Sequence, residues 1–539
     1  MTQTGAQHLV QALVAAGVQQ LFTLSGNQIL SIYDATIGQP LRLLHTRHEA
    51  AAVHMADGWG RLTERPGVAL LTAGPGHCNA ISALYGARMA ESPLVLLSGH
   101  APLQQLGLGA FQEMDQVAIA TPVTKAAWRV DDPDQLGQAL ERALQLAVAG
   151  RPGPVHLSLP VDVLEAPAST QMAGAGWVDP TPHLAPDDPR FATILEHLAA
   201  AQRPLLLAGP ALARPQRWAA VTRFADIIQT PALPMESPRG VNDPWLHLAT
   251  NLLAEADLVL LLGKPLDFAV RFGRPPFFAP SCRFIQIDAE AQALRQSDRL
   301  LLALHADPGQ VVRQLATLAQ PRAWPRSDWR DRVATARNTM PTHWQTLHQS
   351  EATPLHPLRL CAALQPYLDQ GAVLVSDGGE FGQWVQAGLE AQIRLINGPS
   401  GSIGSAIPLA LAAKVAHPER PVLVLSGDGA FGYHVLEFDT ALRYQLPIIA
   451  IVGNDARWNA EVQLQTQHYG AGRAIGCELL PTRYDQVVAA LGVHGEFVQH
   501  AEELAPALAR ALGSGLPACI NVAIQSVAAP TLRGAPAHA

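Results

Sequence analysis

VLVLSGDGAFG, residues 422–432, decides how this chain is to be read. The apolar run Val422 to Leu425 has no polar alternation and describes a strand buried on both faces, as a parallel sheet requires. It delivers Asp428 between Gly427 and Gly429, where the missing side chains leave room for a phosphate and a hard cation beside the backbone. The plain alternative is an aspartate capping a short helix. The following residues favour the first reading. A helical stretch, Tyr433 to Arg443, leads to a second apolar strand, Pro447 to Val452, which ends in Gly453-Asn454-Asp455-Ala456-Arg457. Neighbouring parallel strands bring their carboxyl ends together, which places Asp428 and Asp455 within reach of one Mg²⁺ carrying a diphosphate.

The same pattern recurs outward from this point. Short apolar runs bounded by turn residues predict strands at Val68 to Leu71, Leu94 to Leu97, Val155 to Leu159, Leu205 to Leu207, Leu258 to Leu262, Phe284 to Ile287 and Val373 to Val375. Ala- and Leu-rich stretches such as Gln7 to Ala16, Ala50 to Arg61, Leu136 to Val148 and Ala406 to Val415 read as helices between them. Alternating strands and helices imply parallel βαβ units. A Pro-, Gly- and Asp-rich segment from about 165 to 190 reads as a linker, and a more charged connection with one helix is expected from about 320 to 357. The predicted fold is α/β, with three doubly wound parallel-sheet domains at 1–165, 190–320 and 355–530.

Composition agrees with that division. The 539 residues are long enough for about three or four domains at roughly 150 residues each. The charged fraction is 15%, against about 25% in typical soluble proteins, which points to extensive covered surface and an oligomer. With 37 Lys+Arg against 45 Asp+Glu and no basic block, a phosphate-tracking nucleic-acid surface is excluded. Five cysteines (Cys78, Cys282, Cys361, Cys477 and Cys519) stand far apart with no CxxC pair and read as buried apolar residues. No run has the apolar length of a membrane span, and no signal peptide is evident. A cytoplasmic protein is expected.

The GDG turn followed at a distance by Asn454-Asp455 resembles the signature of thiamine diphosphate (ThDP) enzymes, GDG and then Asn-Asn. Asp455 departs from that pattern but still offers a hard oxygen. The resemblance implies ThDP and Mg²⁺ as cofactors, with Asp428, Asp455 and the backbone carbonyl of Arg457 as metal ligands, and Gly427, Gly429, Ala430 and Trp458 around the diphosphate. Arg47-His48-Glu49-Ala50 opens an Ala-rich helix, where an acid also suits the helix dipole. In this family a glutamate at this point hydrogen-bonds N1′ of the aminopyrimidine and promotes the imino tautomer that activates C2 of the thiazolium. Glu49 is that residue by resemblance, and Ile403 in Gly401-Ser402-Ile403-Gly404 is the apolar wedge under the folded cofactor. Thr72 to Ala80, with Gly74 and Asn79, matches the pyrimidine-binding domain. Ser376 to Phe381, with Gly378, Gly379, Glu380 and Phe381, matches the start of the diphosphate-binding domain. Together these motifs span nearly the whole chain in the order pyrimidine, middle and diphosphate domain. The family builds each site from two chains, so the resemblance implies a homo-oligomer, a dimer at least and a tetramer by expectation.

Within the family, Phe111 to Gln116 resembles the acetolactate synthase and benzaldehyde lyase branch, with Gln112 set to polarise a substrate oxygen. The tract 427–446 resembles benzaldehyde lyase and its relatives, especially through Glu437-Phe438-Asp439-Thr440. Benzaldehyde lyase carries a histidine after its N-terminal glycine turn. Here the turn reads Leu24-Ser25-Gly26-Asn27-Gln28, and Gln28 can hydrogen-bond but cannot act as acid or base near neutral pH. Gly-Asn-Asp-Ala followed by Trp458 looks more like the 2-hydroxyacyl-CoA lyases. Residues 262–274 resemble the loop that meets the nucleotide end of CoA or FAD, with Lys264, Arg271 and Arg274 as phosphate partners; a solvated basic loop is the alternative. The implied activity is reversible cleavage of 2-hydroxyacyl-CoA into an aldehyde and formyl-CoA. Asn27, Gln28 and Gln112 would position oxygens, and Phe111, Ala460 and Glu461 would shape the substrate pocket. The runner-up is an acetolactate synthase-type or benzaldehyde lyase-type carboligase acting without CoA on 2-keto acids or aldehydes. CoA, ADP, FAD or nothing in the middle domain stays open. A non-catalytic cofactor scaffold is disfavoured by retention of Glu49, Asp428 and a carboxylate at 455.

Overall fold

The computed structural model describes residues 3–169, 181–294 and 297–531. β1 (Gln3–Thr4) pairs antiparallel with β8 (Pro167–Ala168), tying the N-terminus to the end of the first domain. Between them lie β2 (Gln20–Thr23), β3 (Arg42–His45), β4 (Gly67–Leu71), β5 (Leu94–His100), β6 (Ala126–Arg129) and β7 (Pro154–Pro160). They form one parallel sheet in the order β3-β2-β4-β5-β7-β6. The middle sheet, β10-β9-β11-β12-β13, uses β9 (Pro204–Ala208), β10 (Ala232–Pro234), β11 (Leu258–Leu262), β12 (Arg283–Asp288) and β13 (Leu300–His305). The third is built from β14 (Val373–Ser376), β15 (Arg394–Ile396), β16 (Val422–Gly427), β17 (Ile449–Asn454), β18 (His494–Val498) and β19 (Ala518–Ala523). Its order, β15-β14-β16-β17-β19-β18, repeats the connectivity of the first sheet.

The central strands are those whose residues are buried on both faces, as in the fully buried β5 and β7. The structure also contains strands that no apolar run announces, such as β6, β15 and β18. β6 and β18 are only partly buried and β15 has three residues, so each lacks a long run of apolar residues. β13 does carry such a run, Leu300 to Leu304, but is only partly buried and is not among the strands predicted from the sequence. Three details are corrected. The helical stretch expected from Tyr433 is helical only at Glu437–Arg443; residues 433–436 form turns, with the His434 ring bonded to the Gly404 carbonyl. The connection after residue 320 holds two helices, Trp329–Arg337 and Thr342–Leu347, separated at Pro341, which caps the second. Cys78 is exposed, whereas the other four cysteines are buried. Of the proposed linker, residues 170–180 lie outside the described residues.

The first and third domains share one core. Helix Glu49–Thr63 packs against helix Ala406–Ala416, and their buried residues join a single apolar cluster that includes Val53, Ala56, Leu409 and Ala413. A Cβ at Gly58 would stand 3.0 Å from the Ala412 Cβ, so this glycine sets how closely the helices approach. No helix among the described residues is long and apolar enough to cross a membrane.

Candidate functional site

At the carboxyl ends of the third sheet, the predicted cofactor residues converge. Gly378, Gly379, Glu380, Phe381, Gly401, Ile403, Gly427, Asp428, Gly429, Ala430, Asp455, Arg457, Trp458, Ala460 and Glu461 all line one cavity of about 200 Å³. This is where open α/β sheets hold ligands. Ser402 stands behind that wall, its carbonyl accepting from Asn397 Nδ2 at 3.0 Å. The glycines are needed for space. A Cβ on Gly429 would lie 2.6 Å from the Trp458 ring, and one on Gly378 would lie 2.6 Å from Asn397 Nδ2.

Asp377 assembles this cradle. It is buried at the end of β14 and accepts from the amides of Gly378 (2.9 Å), Gly404 (3.0 Å) and Ala406 (3.3 Å) and from the Ser426 hydroxyl (3.4 Å). Three loops from separate strands therefore hang on one carboxylate. Burial pushes its pKa up, against the pull of those amides and the hydroxyl. Sequence reading passed over Asp377 in favour of the glycines beside it; a strand-end aspartate before Gly-Gly was the available signal.

Asp428 and Asp455 perturb each other's ionisation. Burial, then the charge of Asp455, raises the Asp428 carboxyl to about 7. Burial raises Asp455 to about 6, opposed by the Ser526 hydroxyl and the amide of Arg457. Asp428 Oδ2 is buried with no hydrogen-bond partner. Glu380 and Glu461 add negative charge nearby, and burial raises Glu380 although Arg239 opposes it. Two adjacent, desolvated carboxylates with an orphaned oxygen fit a hard divalent cation. Among the described residues no group of three or more His, Cys, Asp or Glu forms a metal site, so two side chains would leave coordination positions for backbone and phosphate oxygens. Asn454 does not join Asp455 there. Its amide nitrogen donates to the Thr482 carbonyl and Asn521, and its oxygen accepts from Ala456 N, which braces the turn.

The N-terminal residues form a second cluster, at the carboxyl ends of the first sheet. Asn79 Nδ2 donates to Glu49 Oε2 at 2.9 Å. A Cβ on Gly76 would lie 3.5 Å from Glu49 Oε1, and one on Gly74, whose φ is +57°, would lie 2.9 Å from the Gln112 Cβ. Thr72 donates to Gln28 Oε1 at 2.6 Å, so this buried amide presents its NH₂ group as the remaining donor. Asn27, which precedes Gln28, is exposed, and so is Phe111, which precedes Gln112. None of these N-terminal residues lines the cavity around Asp428, so one chain presents two half-sites. A larger cavity, about 610 Å³, lies at the junction of the three domains and includes none of the predicted residues.

The middle domain separates the basic residues assigned to it. Lys264 is buried and paired with Asp267 at 2.6 Å, whereas Arg274 is exposed and Arg271 partly so. The crevice beyond β9, β11 and β12, where a dinucleotide would lie, is filled from within. Arg151 pairs there with Glu91 at 2.9 Å and with Asp288, and Glu91 also accepts from Ala211 N at 2.8 Å. Burial works against the Arg151 charge, but Glu91, Asp288 and Glu290 outweigh it and keep the guanidinium ionised. About 20 Å³ remains, which does not fit a nucleotide.

Comparison with known proteins places this geometry. Three family models match in succession: thiamine pyrophosphate enzyme, N-terminal TPP binding domain, over residues 3–119; the central domain over 191–315; and the C-terminal TPP binding domain over 377–522. A probable acetolactate synthase from Mycobacterium bovis is 35% identical over 97% of this chain and 96% of its own. The 2-hydroxyacyl-CoA lyase 2 of Homo sapiens is 30% identical over 93% of this chain and 86% of its own. An oxalyl-CoA decarboxylase from Escherichia coli is 30% identical over 97% and 95%.

Proposed function

The chain belongs to the thiamine diphosphate enzyme family, and from that premise we propose that it cleaves and forms carbon–carbon bonds in 2-hydroxyacyl-CoA thioesters, releasing or capturing an aldehyde and formyl-CoA. As a ThDP-dependent lyase or carboligase it needs a cation site, a diphosphate cradle and a carboxylate for the aminopyrimidine. Asp428 and Asp455 would hold Mg²⁺, with the Arg457 carbonyl as a further ligand. The Gly378 and Gly429 turns leave the backbone open to the diphosphate. Bound ThDP supplies a nucleophilic carbon and an electron sink. Glu49, steadied by Asn79, holds the proton at N1′, and Ile403 supports the cofactor's fold. Gln28, its oxygen engaged by Thr72, would donate to a substrate oxygen, and Gln112, which lies against Gly74, would polarise one. Because Glu49 and Asp428 belong to different half-sites, a working centre takes Glu49 from one chain and Asp428 from another, which makes the active unit a dimer at least.

The observation that carries the CoA assignment is the loop 264–274. Arg271 and Phe272 both adopt left-handed backbone, with φ of 50° and 53°, which costs of order 1–3 kcal/mol per residue. The loop leaves Phe268 and Phe272 exposed, with Arg274 over the Phe272 ring at 5.8 Å, a stacking surface and a guanidinium suited to an adenine nucleotide. A second reading has its own support: Lys264 is withdrawn into its ion pair, and the acetolactate synthase relative is the more similar at 35%. That reading is a CoA-independent carboligase acting on 2-keto acids or aldehydes. Incubation with ThDP, Mg²⁺, formyl-CoA and an aldehyde should give a 2-hydroxyacyl-CoA; acetolactate or an acyloin from pyruvate, with no CoA product, would overturn the first reading in favour of the second. Glu49→Gln should leave ThDP bound and stop exchange of its C2 proton with solvent.

A further inference from the structure

The turn that delivers Glu49 is held from the third domain. Glu437, the first residue of helix Glu437–Arg443 and 1% exposed, accepts from Arg47 N at 3.0 and 3.2 Å and from His48 N at 3.1 Å. Its second oxygen also accepts from the Thr440 hydroxyl at 2.6 Å. The same helix continues the clamp. His45 N donates to the Tyr444 hydroxyl at 2.8 Å, and Arg443 donates to the His45 carbonyl at 2.7 Å. Backbone polar groups of residues 45, 47 and 48 thus find their partners on a segment about 390 positions away. Local support comes from His48 Nδ1, which accepts from Ala50 N at 3.1 Å, and from the Thr46 hydroxyl, which donates to the His48 carbonyl at 2.9 Å.

We infer that Glu437 is a positioning residue for Glu49, fixing through the Arg47 and His48 amides the point at which helix Glu49–Thr63 begins, and so the reach of the Glu49 carboxylate to the cofactor. A rigid base is required because proton transfer at a set atom tolerates little displacement, and two charge-assisted amide bonds to one buried carboxylate provide it. Two facts argue that acceptor chemistry, and not bulk, is needed here. Both oxygens accept from donors, and a Gln NH₂ group, even when it donates to the Thr440 hydroxyl, would face the Arg47 N–H that lies 3.2 Å from the second oxygen. The inference rests on the role proposed for Glu49.

The test uses the near-isosteric Glu437→Gln and the milder Tyr444→Phe in full-length protein. Amide hydrogen exchange of residues 45–50 in the cofactor-free protein should speed up at least 10-fold in Glu437→Gln. Exchange of the ThDP C2 proton should slow at least 10-fold, with the Kd for ThDP and Mg²⁺ within 2-fold of wild type, and Tyr444→Phe should fall between. A purely structural role would instead weaken cofactor binding and C2 exchange together, and that result overturns the inference. So does wild-type C2 exchange in Glu437→Gln when Glu49→Gln abolishes it. If Glu49→Gln also exchanges normally, the assignment of Glu49 fails first, and with it the basis of this one.

Discussion

Asp455→Asn should make the cofactor-free protein more stable and its cation site weaker. In the fold, Asp428 and Asp455 are raised to about 7 and about 6 from an ordinary 3.8, so the native state binds protons that the unfolded chain has released. Stability then falls as pH rises from the unfolded value through the folded ones, and the full penalty is present above them. At about 1.4 kcal/mol per unit, the rise at Asp455 corresponds to about 3 kcal/mol. Partial exposure of Asp455 reduces this to on the order of 1–3 kcal/mol. For a domain of 150–250 residues each kcal/mol moves the melting temperature by about 2–4 °C. The variant without ThDP and Mg²⁺, in EDTA at pH 7.5, should therefore melt several degrees above wild type. Its advantage should shrink toward pH 5, where the wild-type pair is protonated. Added Mg²⁺ and ThDP should raise wild type more than the variant, since a ligand stabilises by its own affinity. Differential scanning calorimetry across pH reads all three. A variant melting at or below wild type in EDTA, or an advantage independent of pH, would refute the argument that two desolvated carboxylates repel in the absence of a cation.

Gly429→Val places side-chain atoms where a Cβ alone already meets the Trp458 ring at 2.6 Å; ThDP affinity, read by quenching of tryptophan fluorescence, should drop at least 10-fold, and unaltered affinity would mean that the turn has slack. Leu409→Ala removes a fully buried side chain from the core shared by the first and third domains and should cost about 2–5 kcal/mol in urea unfolding, with a loss below 1 kcal/mol contradicting a tightly packed junction. FAD should leave the melting temperature unchanged, because Arg151, Glu91 and Asp288 fill the middle crevice; a clear upward shift would show that this ion cluster opens. Thr72→Val should raise KM or lower kcat for carbonyl substrates without changing ThDP affinity, since it releases the Gln28 oxygen held at 2.6 Å.

The sequence made legible what depends on neighbours along the chain. Buried runs such as Val422 to Leu425 are strands because nothing polar interrupts them, and Asp428 between glycines is a turn wherever it occurs. Glu437 was visible only as part of a resemblance, because the amides it holds belong to Arg47 and His48, and no local pattern joins such distant positions. Thr72 does not stand out within its motif for the same reason: its partner Gln28 sits in another loop of the same sheet. Lys264 shows the converse case. Beside Arg271 and Arg274 it reads as a phosphate partner, yet Asp267 stands three residues later and the two pair, a local signal that the basic cluster hides.

The repeated strand order of the first and third sheets explains why the half-sites are divided as they are. Each sheet gathers its reactive loops at its carboxyl ends, one offering Glu49, Gln28 and Gln112, the other Asp428, Asp455 and glycine turns. Within one chain the two sheets meet through helices Glu49–Thr63 and Ala406–Ala416 and through the bonds of Glu437, Arg443 and Tyr444 to the turn after β3, and that contact leaves the loops around Gln112 and after Asp428 uncovered. What it leaves uncovered is apolar to an unusual degree: Leu108 is 78% exposed and Phe111 69% in the loop around Gln112, while Tyr433 is 59% exposed and Leu436 51% just after Asp428. Apolar residues concentrated beside incomplete chemistry ask for a cover, and the half-site each lacks is present on a second copy of the same chain. In the proposed dimer the low charged fraction of 15% and the division of Glu49 from Asp428 would have one cause: surface covered by the second copy needs little charge.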